Sequence, residues 1–313
     1  MKEIKIAMLG MVDGNGHPYS WSAMFNGYNK EAMEDCGFPV IPRYLEKEPE
    51  KNFGIRGAKV THIWTDDPQD AKKVSVASKI PNIVENFEDV IGQVDAVIVA
   101  TDKGDEHVWR AKPFIDAGLP VFIDKPLADN VEDLKYFINC VKNGAKILSS
   151  SSLRYTKEYI PYFESTNELG DLRYINMTMT KSWERYGIHA LEPVFRITGP
   201  GYVSVQNTGD ETNNIVHLVH KDGIHVNLAV MYGSAGSDLK LVGTKDSICV
   251  PMKDSFYSFK TQLEKFVDFI EFGKEPYPFD ETIELMEIII AGIRSRNEGG
   301  RKVMLDEIRK ELQ

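Results

Sequence analysis

The stretch VFIDKPLA, residues 121–128, decides the fold of this chain. Its apolar start is typical of a strand that is buried on both faces of a parallel sheet. Pro126 cannot extend a sheet ladder, so we expect the strand to end where Lys125 appears. Ligands of open α/β sheets bind in the crevice at the carboxyl ends of the strands. Lys125 is therefore predicted to meet a cofactor and a substrate there, and the alternative is an ordinary surface lysine at a strand end.

Strand and helix patterns alternate on both sides of this stretch. Further apolar strands are predicted at residues 4–9, 60–65, 95–100 and 145–149, and helices at residues 106–117 and 129–141. A long connection rich in proline and glycine precedes the strand at 60–65 and predicts an insertion. Such alternation requires right-handed crossovers and a parallel sheet. Residues 1–150 are therefore predicted to form a Rossmann-like, doubly wound α/β domain that binds a dinucleotide.

A glycine-rich loop, GMVDGNG at residues 10–16, follows the first strand. A helical pattern begins directly after it, with Pro18 in the first turn. Free backbone N–H groups at the positive end of a helix form the usual cradle for a pyrophosphate. The spacing departs from G-x-G-x-x-G, because Val12 and Asn15 stand where glycines belong. The loop predicts a dinucleotide cradle, and the alternative is a glycine turn without a ligand.

The residues after the second strand bear on the choice of dinucleotide. An acid at this point usually accepts hydrogen bonds from the adenosine ribose. The candidates are Thr65, Asp66 and Asp67. Two carboxylates would repel a 2′-phosphate and no arginine is adjacent, which favours NAD over NADP. The alternative is that Asp66-Asp67-Pro68 only turns the chain and caps the next helix.

The pattern changes after the four serines at residues 149–152, which we interpret as a strand end and crevice wall. Strands with polar faces are predicted at residues 174–181, 215–220, 224–231, 239–242 and 247–250, and helical spacing at residues 259–270 and 283–293. Lys221-Asp222-Gly223 is typical of a hairpin, so this sheet should be largely antiparallel. Residues 151–313 are therefore predicted to form an α+β domain for substrate binding. Its exposed sheet face predicts a homo-oligomer, a dimer or a tetramer.

Composition excludes several classes of protein. The 313 residues suit two domains, and 37 basic against 47 acidic residues without a basic cluster argue against nucleic acid as a partner. The first ten residues lead into a strand, and no apolar run is long enough for a signal peptide or a bilayer span, so we expect a cytoplasmic protein without a membrane partner. Three distant cysteines suggest neither disulfides nor zinc. His217 and His220 face opposite sides of a strand, so no metal site is predicted.

Five motifs together suggest a family. They are the glycine loop, residues 100–107, AGLPVFIDKPLA at 117–128, Arg154-Tyr155 and GIHALE at 187–192. In these the chain resembles, over nearly its whole length, the Gfo/Idh/MocA family of nicotinamide-dependent oxidoreductases, named after glucose-fructose oxidoreductase and inositol dehydrogenase. Asp124-Lys125-Pro126 stands where that family has its E/D-K-P signature. The resemblance implies a Rossmann domain, a second domain with a large open sheet, bound NAD or NADP, and a sugar, inositol or similar polyol as substrate.

The resemblance also implies that Lys125 and His189 act together, but one expected carboxylate is missing. The family places an aspartate four residues before the histidine, and here that position is Arg185, with Glu184 beside it. We expect a dehydrogenase acting on a CH–OH group, with an altered substrate or acid–base pair. The alternatives are a cofactor-binding regulatory protein without catalysis, and an NAD-dependent hydrolase or epimerase in which the hydride returns.

Hydride transfer from a secondary alcohol requires loss of the hydroxyl proton and stabilisation of the alkoxide. Lys125 is predicted to supply the charge, with its ammonium form disfavoured beside a nicotinamide ring. His189 is predicted to be the general base, because the ordinary pKa of histidine is about 6.5; the alternative is a core histidine. The predicted cofactor contacts are Gly10, Met11, Gly14, Asn15, Gly16, Thr65, Asp66, Thr101, Asp124 and Lys125. The predicted substrate contacts are His17, Arg154, Tyr155, Trp183 and Arg185.

Overall fold

The computed structural model describes residues 3–313 and contains two sheets; Met1 and Lys2 of the predicted N-terminal segment lie outside the described residues. The first sheet consists of β1 (Ile4–Leu9), β2 (Ala58–Trp64), β3 (Asn82–Ile83), β4 (Ala96–Val99), β5 (Val121–Ile123) and β6 (Ile147–Leu148). All its pairs are parallel, in the order β3-β2-β1-β4-β5-β6. The order reverses between β1 and β4, where dinucleotides bind in such sheets. The predicted Rossmann-like sheet is confirmed.

Six helices accompany this sheet. They are α1 (His17–Asn26), α2 (Lys30–Glu34), α3 (Val40–Leu45), α4 (Pro68–Ala77), α5 (His107–Asp116) and α6 (Val131–Lys142). The α6 helix shows why these segments are helical. Asn130 caps its N-terminus, and Leu134, Phe137 and Ile138 form a buried apolar stripe that packs against the core. The α2 and α3 helices form the predicted insertion between α1 and β2. The β5 strand is wholly buried and ends before Lys125, as predicted.

The second sheet is larger and mostly antiparallel, as predicted. Its strands are β7 (Leu172–Thr180), β8 (Tyr202–Asn207), β9 (Asn213–His220), β10 (His225–Met231), β11 (Leu239–Gly243), β12 (Ser247–Val250) and β13 (Val303–Met304). The order is β12-β11-β7-β10-β9-β8-β13, and β7 with β10 is the parallel pair. The hairpin between β9 and β10 turns at Gly223, whose φ is +78°. The β8 and β13 strands were not predicted.

Five helices complete the chain. They are α7 (Ile160–Glu164), α8 (Trp183–Thr198), α9 (Ser255–Phe272), α10 (Phe279–Asn297) and α11 (Leu305–Leu312). The α9 helix returns to the first sheet, where Phe266 lies 5.5 Å from Phe122 between ring centroids. The division into residues 1–150 and 151–313 stays a prediction, because α9 shares a core with the first sheet. No helix within residues 3–313 has the length and apolarity needed to cross a bilayer.

Candidate active site

A buried ion cluster joins the carboxyl edge of the first sheet to the start of α8. The Lys125 Nζ atom lies 3.3 Å from Asp102 Oδ2, and Arg185 Nη2 donates to Asp102 Oδ1 at 2.6 Å. Asp102 follows β4 and Lys125 follows β5, so two paired strands deliver the two charges to one place. The Lys125 and Asp102 side chains are 2% and 1% exposed. The alternative of a surface lysine is therefore wrong.

These charges keep one another ionised. Burial alone disfavours the ammonium of Lys125, but Asp102 and Asp124 outweigh it and raise the pKa of Lys125 above its usual value. Burial would also neutralise Asp102, yet Lys125 and Arg185 hold the pKa of Asp102 well below its usual range. The protein's own charges thus oppose the weakening of the ammonium form that we predicted from a neighbouring nicotinamide ring. Lys125 is a cation at neutral pH.

Tyr186 lies between the two predicted catalytic side chains. The Lys125 Nζ atom is 4.6 Å from the centroid of the Tyr186 ring, and the His189 ring packs edge-on against the same ring at a centroid distance of 4.7 Å. His189 Nδ1 lies 2.6 Å from Ser151 Oγ, in the serine run that we interpreted as a crevice wall. The lysine of one sheet edge and the histidine of α8 therefore contact a common aromatic ring.

His189 is neutral at physiological pH. Burial, followed by electrostatic interactions with Lys125 and His17, lowers the pKa of His189 well below its usual value. The prediction of a general base rested on a pKa near its usual value of about 6.5, and that premise is wrong. A neutral imidazole still offers one donor and one acceptor, of which Ser151 Oγ occupies one. His189 can therefore orient a hydroxyl group without holding its proton.

The lowered pKa of His189 makes the fold sensitive to acid. The unfolded chain binds a proton at this residue below about pH 6.5 and the folded chain does not, so stability falls as pH drops below that value. Between pH 7.5 and pH 5.5 wild type should lose about 1 kcal/mol more unfolding free energy than His189→Gln. Urea unfolding at both values measures the difference, because other titrating groups are common to the two proteins. Equal losses would contradict a neutral, buried His189.

The glycine loop fits a dinucleotide. Gly10 has a φ of +83° and a Cβ there would lie 2.7 Å from Thr101 Cγ2, while Gly14 has a φ of +75°. Both positions therefore require glycine. The N–H groups of residues 12–14 donate no hydrogen bond within the described residues and precede the positive end of α1. Unpaired N–H donors, flanked by glycines that let the backbone approach a ligand closely, are the features that a pyrophosphate needs.

The other polar groups of the loop shape it internally. Asn15 Nδ2 donates to Ala100 O at 3.1 Å and to Asp124 Oδ2 at 3.0 Å, and Asn15 Oδ1 accepts from His17 N at 2.9 Å. His17 Nδ1 lies 2.6 Å from Asp124 Oδ2. A Cβ on Gly16 would lie 2.6 Å from Ile41 Cδ1, so this glycine accommodates the insertion. Ligand contacts by Asn15, Gly16, His17 and Asp124 stay predictions.

Two cations from the C-terminal half lie on the glycine loop. Lys181 Nζ donates to Gly14 O at 2.7 Å, and Arg185 Nη2 donates to Asp13 O at 3.0 Å. Lys181 also donates to the Tyr186 hydroxyl at 2.7 Å and has a φ of +63°, which is uncommon outside glycine. Together they place positive charge where a diphosphate is expected. Arg185 was predicted as a substrate contact and not as a neighbour of the glycine loop, and Lys181 was not predicted at all.

Of the three candidates after β2, Asp66 faces the loop. Met11 N donates to Asp66 Oδ2 at 3.4 Å. The Thr65 hydroxyl is buried and donates to Asp67 O at 2.6 Å, and Asp67 caps α4. No arginine is adjacent in the sequence, but the expectation that none lies nearby is wrong in the folded chain. Arg110 of α5 donates to both oxygens of Asp66 at 2.9 and 3.1 Å. The ribose contact of Asp66 stays a prediction, and Asp66 is the candidate whose carboxylate faces both the loop and the Arg110 guanidinium.

Three predicted substrate residues lie away from this cluster. Trp183 is fully buried and its Nε1 donates to Ile289 O of α10 at 2.9 Å, so its predicted place beside a substrate is wrong. Arg154 is buried between Glu192, at 2.6 Å, and Glu281. Arg154 and Tyr155 line a separate cavity of about 500 Å³, and their substrate contacts stay predictions.

Asp102, Lys181 and Tyr186 complete the cluster and were not predicted. Asp102 carried a usable signal, because it follows β4 at the same sheet edge as Lys125. Lys181 and Tyr186 flank the start of α8, and only the approach of α8 to the glycine loop brings them to the site. No pattern in the sequence indicates that approach.

Known proteins resemble this chain in the sequence of residues 40–152 and in the overall fold. Residues 40–152 match the GFO_IDH_MocA family model, described as an oxidoreductase family with an NAD-binding Rossmann fold. Over residues 40–152, this match agrees with the family resemblance and with the NAD-binding Rossmann unit that we predicted from the sequence. No curated protein matches the chain in sequence.

Solved structures align over almost the full length. Myo-inositol 2-dehydrogenase from Lactobacillus plantarum is 16% identical, with 97% of this chain and 99% of that chain covered and a TM-score of 0.76. Scyllo-inositol dehydrogenase from Lactobacillus casei, with bound NAD(H) and scyllo-inositol, is 14% identical, with 97% and 100% covered and a TM-score of 0.73. GenD2 from gentamicin A biosynthesis, in complex with NAD, is 15% identical, with 97% of each chain covered and a TM-score of 0.74. At these identities the likeness shows the shared fold.

Proposed function

We propose that this chain, whose residues 40–152 match the Gfo/Idh/MocA oxidoreductase family, is an NAD-dependent dehydrogenase of a sugar, inositol or related polyol. One observation supports this most strongly: a buried lysine at the carboxyl edge of a Rossmann sheet lies against the same tyrosine ring as a histidine from the second half. A buried, paired charge at a sheet edge where ligands bind is a functional-site feature. Proteins of the same fold include a myo-inositol 2-dehydrogenase and a scyllo-inositol dehydrogenase with bound scyllo-inositol.

The glycine loop and the charged side chains around it would hold NAD. The N–H groups of residues 12–14 would receive the diphosphate, Lys181 and Arg185 would lie beside it, and Asp66 would accept from the adenosine ribose. When bound, NAD supplies the hydride acceptor or donor. The protein itself supplies orientation and charge.

Lys125 is the proposed catalytic residue that handles charge at the substrate oxygen. As an ammonium it stabilises a developing alkoxide and can donate the Nζ proton to a carbonyl oxygen. Asp102 keeps that proton on Nζ, because it raises the pKa of Lys125. His189 is proposed to orient the hydroxyl group through hydrogen bonding. Lys125 is protonated in this site, which is the form that carbonyl reduction requires. Alcohol oxidation requires its neutral amine.

This proton placement predicts opposite pH dependences for the two directions. With an inositol or polyol as substrate, kcat/KM for oxidation should rise as pH increases above neutral, whereas kcat/KM for reduction of the matching ketone should stay level near neutral pH and fall only as pH approaches the raised pKa of Lys125. Formation and loss of reduced nicotinamide absorbance measure both rates over a panel that includes myo-inositol and scyllo-inositol. Reduced-cofactor binding without turnover on a broad panel would favour a regulatory protein, and product without net reduced cofactor would favour hydride return.

Assembly into a homo-oligomer through the second sheet remains part of this proposal. Val203 of β8 and Ile215 of β9 are 40% and 43% exposed there. Apolar residues on an exposed sheet face suit burial against a second subunit. The cytoplasmic location likewise remains a prediction.

A further inference from the structure

We propose that Arg110 is a latent receptor for the 2′-phosphate of NADP, and that Asp66 sets the dinucleotide preference of this chain by occupying the Arg110 guanidinium. Asp66 thus selects NAD, and loss of its carboxylate should open the site to NADP. The proposal rests on the proposed function, since it needs a nicotinamide dinucleotide in the glycine loop. The sequence around Asp66 does not indicate it, because Arg110 lies 44 positions further along the chain.

Two carboxylates fix the guanidinium. Arg110 Nη1 and Nη2 donate to Asp66 Oδ2 and Oδ1 at 3.1 and 2.9 Å, and Nε and Nη2 donate to Glu106 Oε2 at 3.1 and 2.8 Å. Its Cζ atom lies 4.3 Å from the centroid of the Trp109 ring, and the side chain is 7% exposed. A planar fork held this way is already oriented, so little side-chain entropy is lost when it binds an anion.

The guanidinium also lies against the cofactor loop. A Cβ on Gly10 would lie 3.2 Å from Arg110 Nη1. Met11 N and Arg110 Nη1 donate to the same oxygen of Asp66, and the Asp66 side chain is 41% exposed. Asp66 therefore separates the guanidinium from the point where the adenosine ribose is expected. One side chain decides which group the ribose meets.

The charges around Arg110 balance while Asp66 is present. Asp66 and Glu106 are the two acids, and Arg110 and Lys103 are the two bases, with Lys103 Nζ 3.2 Å from Glu106 Oε1. A ribose 2′-hydroxyl can donate to Asp66, whereas a 2′-phosphate is repelled by it. Without the Asp66 carboxylate the cluster carries one net positive charge, and two N–H donors of Arg110 lose their partner. Paired donors on a guanidinium are the usual receptor for a phosphate.

The test is a titration of NADH and NADPH in which nicotinamide fluorescence reports binding. It compares wild type, Asp66→Ser, Arg110→Met and the double variant. Wild type should bind NADH more tightly than NADPH. Asp66→Ser should gain about 10- to 100-fold in NADPH affinity, the range of charge-assisted hydrogen bonds to phosphate, and should lose NADH affinity. In the double variant the gain for NADPH should disappear. Arg110→Lys, which keeps the charge but loses the fork, should show a smaller gain in the Asp66→Ser background.

Asp67→Asn is the matched control, because Asp67 is the neighbouring acid but caps α4 instead of binding Arg110. It should keep the wild-type preference. Two outcomes would overturn the proposal. One is an equal NADPH gain in the double variant, because relief of repulsion alone would then explain the change. The other is the absence of any NADPH gain in Asp66→Ser. If wild type binds neither dinucleotide, the proposed function fails and this inference fails with it. Thermal unfolding of each variant establishes that it is folded. If Arg110→Met is not folded, Arg110→Lys replaces it in the comparison.

Discussion

Replacing Lys125 with methionine is expected to abolish turnover while NADH still binds. Methionine fills the buried space of the lysine stem, and Asp102 keeps Arg185 as its partner at 2.6 Å, so the fold should survive. What is lost is the ammonium that stabilises an alkoxide and exchanges a proton with the substrate oxygen. Loss of such a group typically lowers kcat by roughly 100- to 10,000-fold. Steady-state kinetics on any substrate found with wild type, with NADH titration alongside, measures the effect.

Lys112→Met serves as the control for Lys125→Met. Lys112 is an exposed lysine of α5 that pairs with Asp116 at 2.8 Å, well away from the sheet edge. Its loss should leave kcat and NADH affinity unchanged. If Lys125→Met retains the wild-type kcat, the lysine is a structural cation and the dehydrogenase mechanism proposed here is refuted. If it fails to bind NADH as well, the buried cation serves the cofactor cradle and not the substrate.

The elements that place Lys125 could be predicted because local rules agree there. The buried apolar run of β5, Pro126 after it and the alternation of strands and helices all indicate a parallel sheet that ends at the lysine. The hairpin at Gly223 could be predicted from an equally local sequence signal. By contrast, β13 consists of two residues and pairs with β8, and two residues show no periodicity.

The part of the site that could not be predicted depends on distant pairing. Arg110 and Asp66 are 44 positions apart, and Lys181 reaches Gly14 across 167 positions. The pKa of His189 is likewise a property of the assembled structure, because burial and electrostatic interactions with Lys125 and His17 lower it. Residue type and spacing indicate which groups can do chemistry. Their protonation is decided by neighbours that the chain brings together only on folding.

Asp102→Asn is expected to cause a large loss of stability. The carboxylate pairs with buried Lys125 and with Arg185, whose side chain is 21% exposed, and an amide removes the charge that both ion pairs share. Removing one partner of a buried ion pair typically costs about 3–5 kcal/mol of unfolding free energy. Urea unfolding measures the loss. Asp105→Asn, at an exposed acid three residues further along, should change stability by less than about 0.5 kcal/mol.

The cluster should also respond to a second substitution in a way that simple additivity does not allow. Arg185→Met leaves the neutral pair of Lys125 and Asp102, and should cost less than Asp102→Asn. In the Asp102→Asn background, Arg185→Met removes an unpaired cation and should restore part of the lost stability. Additive losses in the double variant would show that the three side chains are not one electrostatic unit.

The double variant Asp102→Asn with Arg185→Asp tests whether Lys125 needs the carboxylate of Asp102 itself or any carboxylate nearby. The double change moves the acid from the end of β4 to the helix position four residues before His189, beside a backbone carbonyl that already lies 3.4 Å from Lys125 Nζ. If Lys125 needs a carboxylate from either element, the double variant should exceed Asp102→Asn both in stability and in kcat. Recovery of stability without kcat would mean that Asp102 also positions the lysine, and no recovery of either would mean that the guanidinium of Arg185 is itself required.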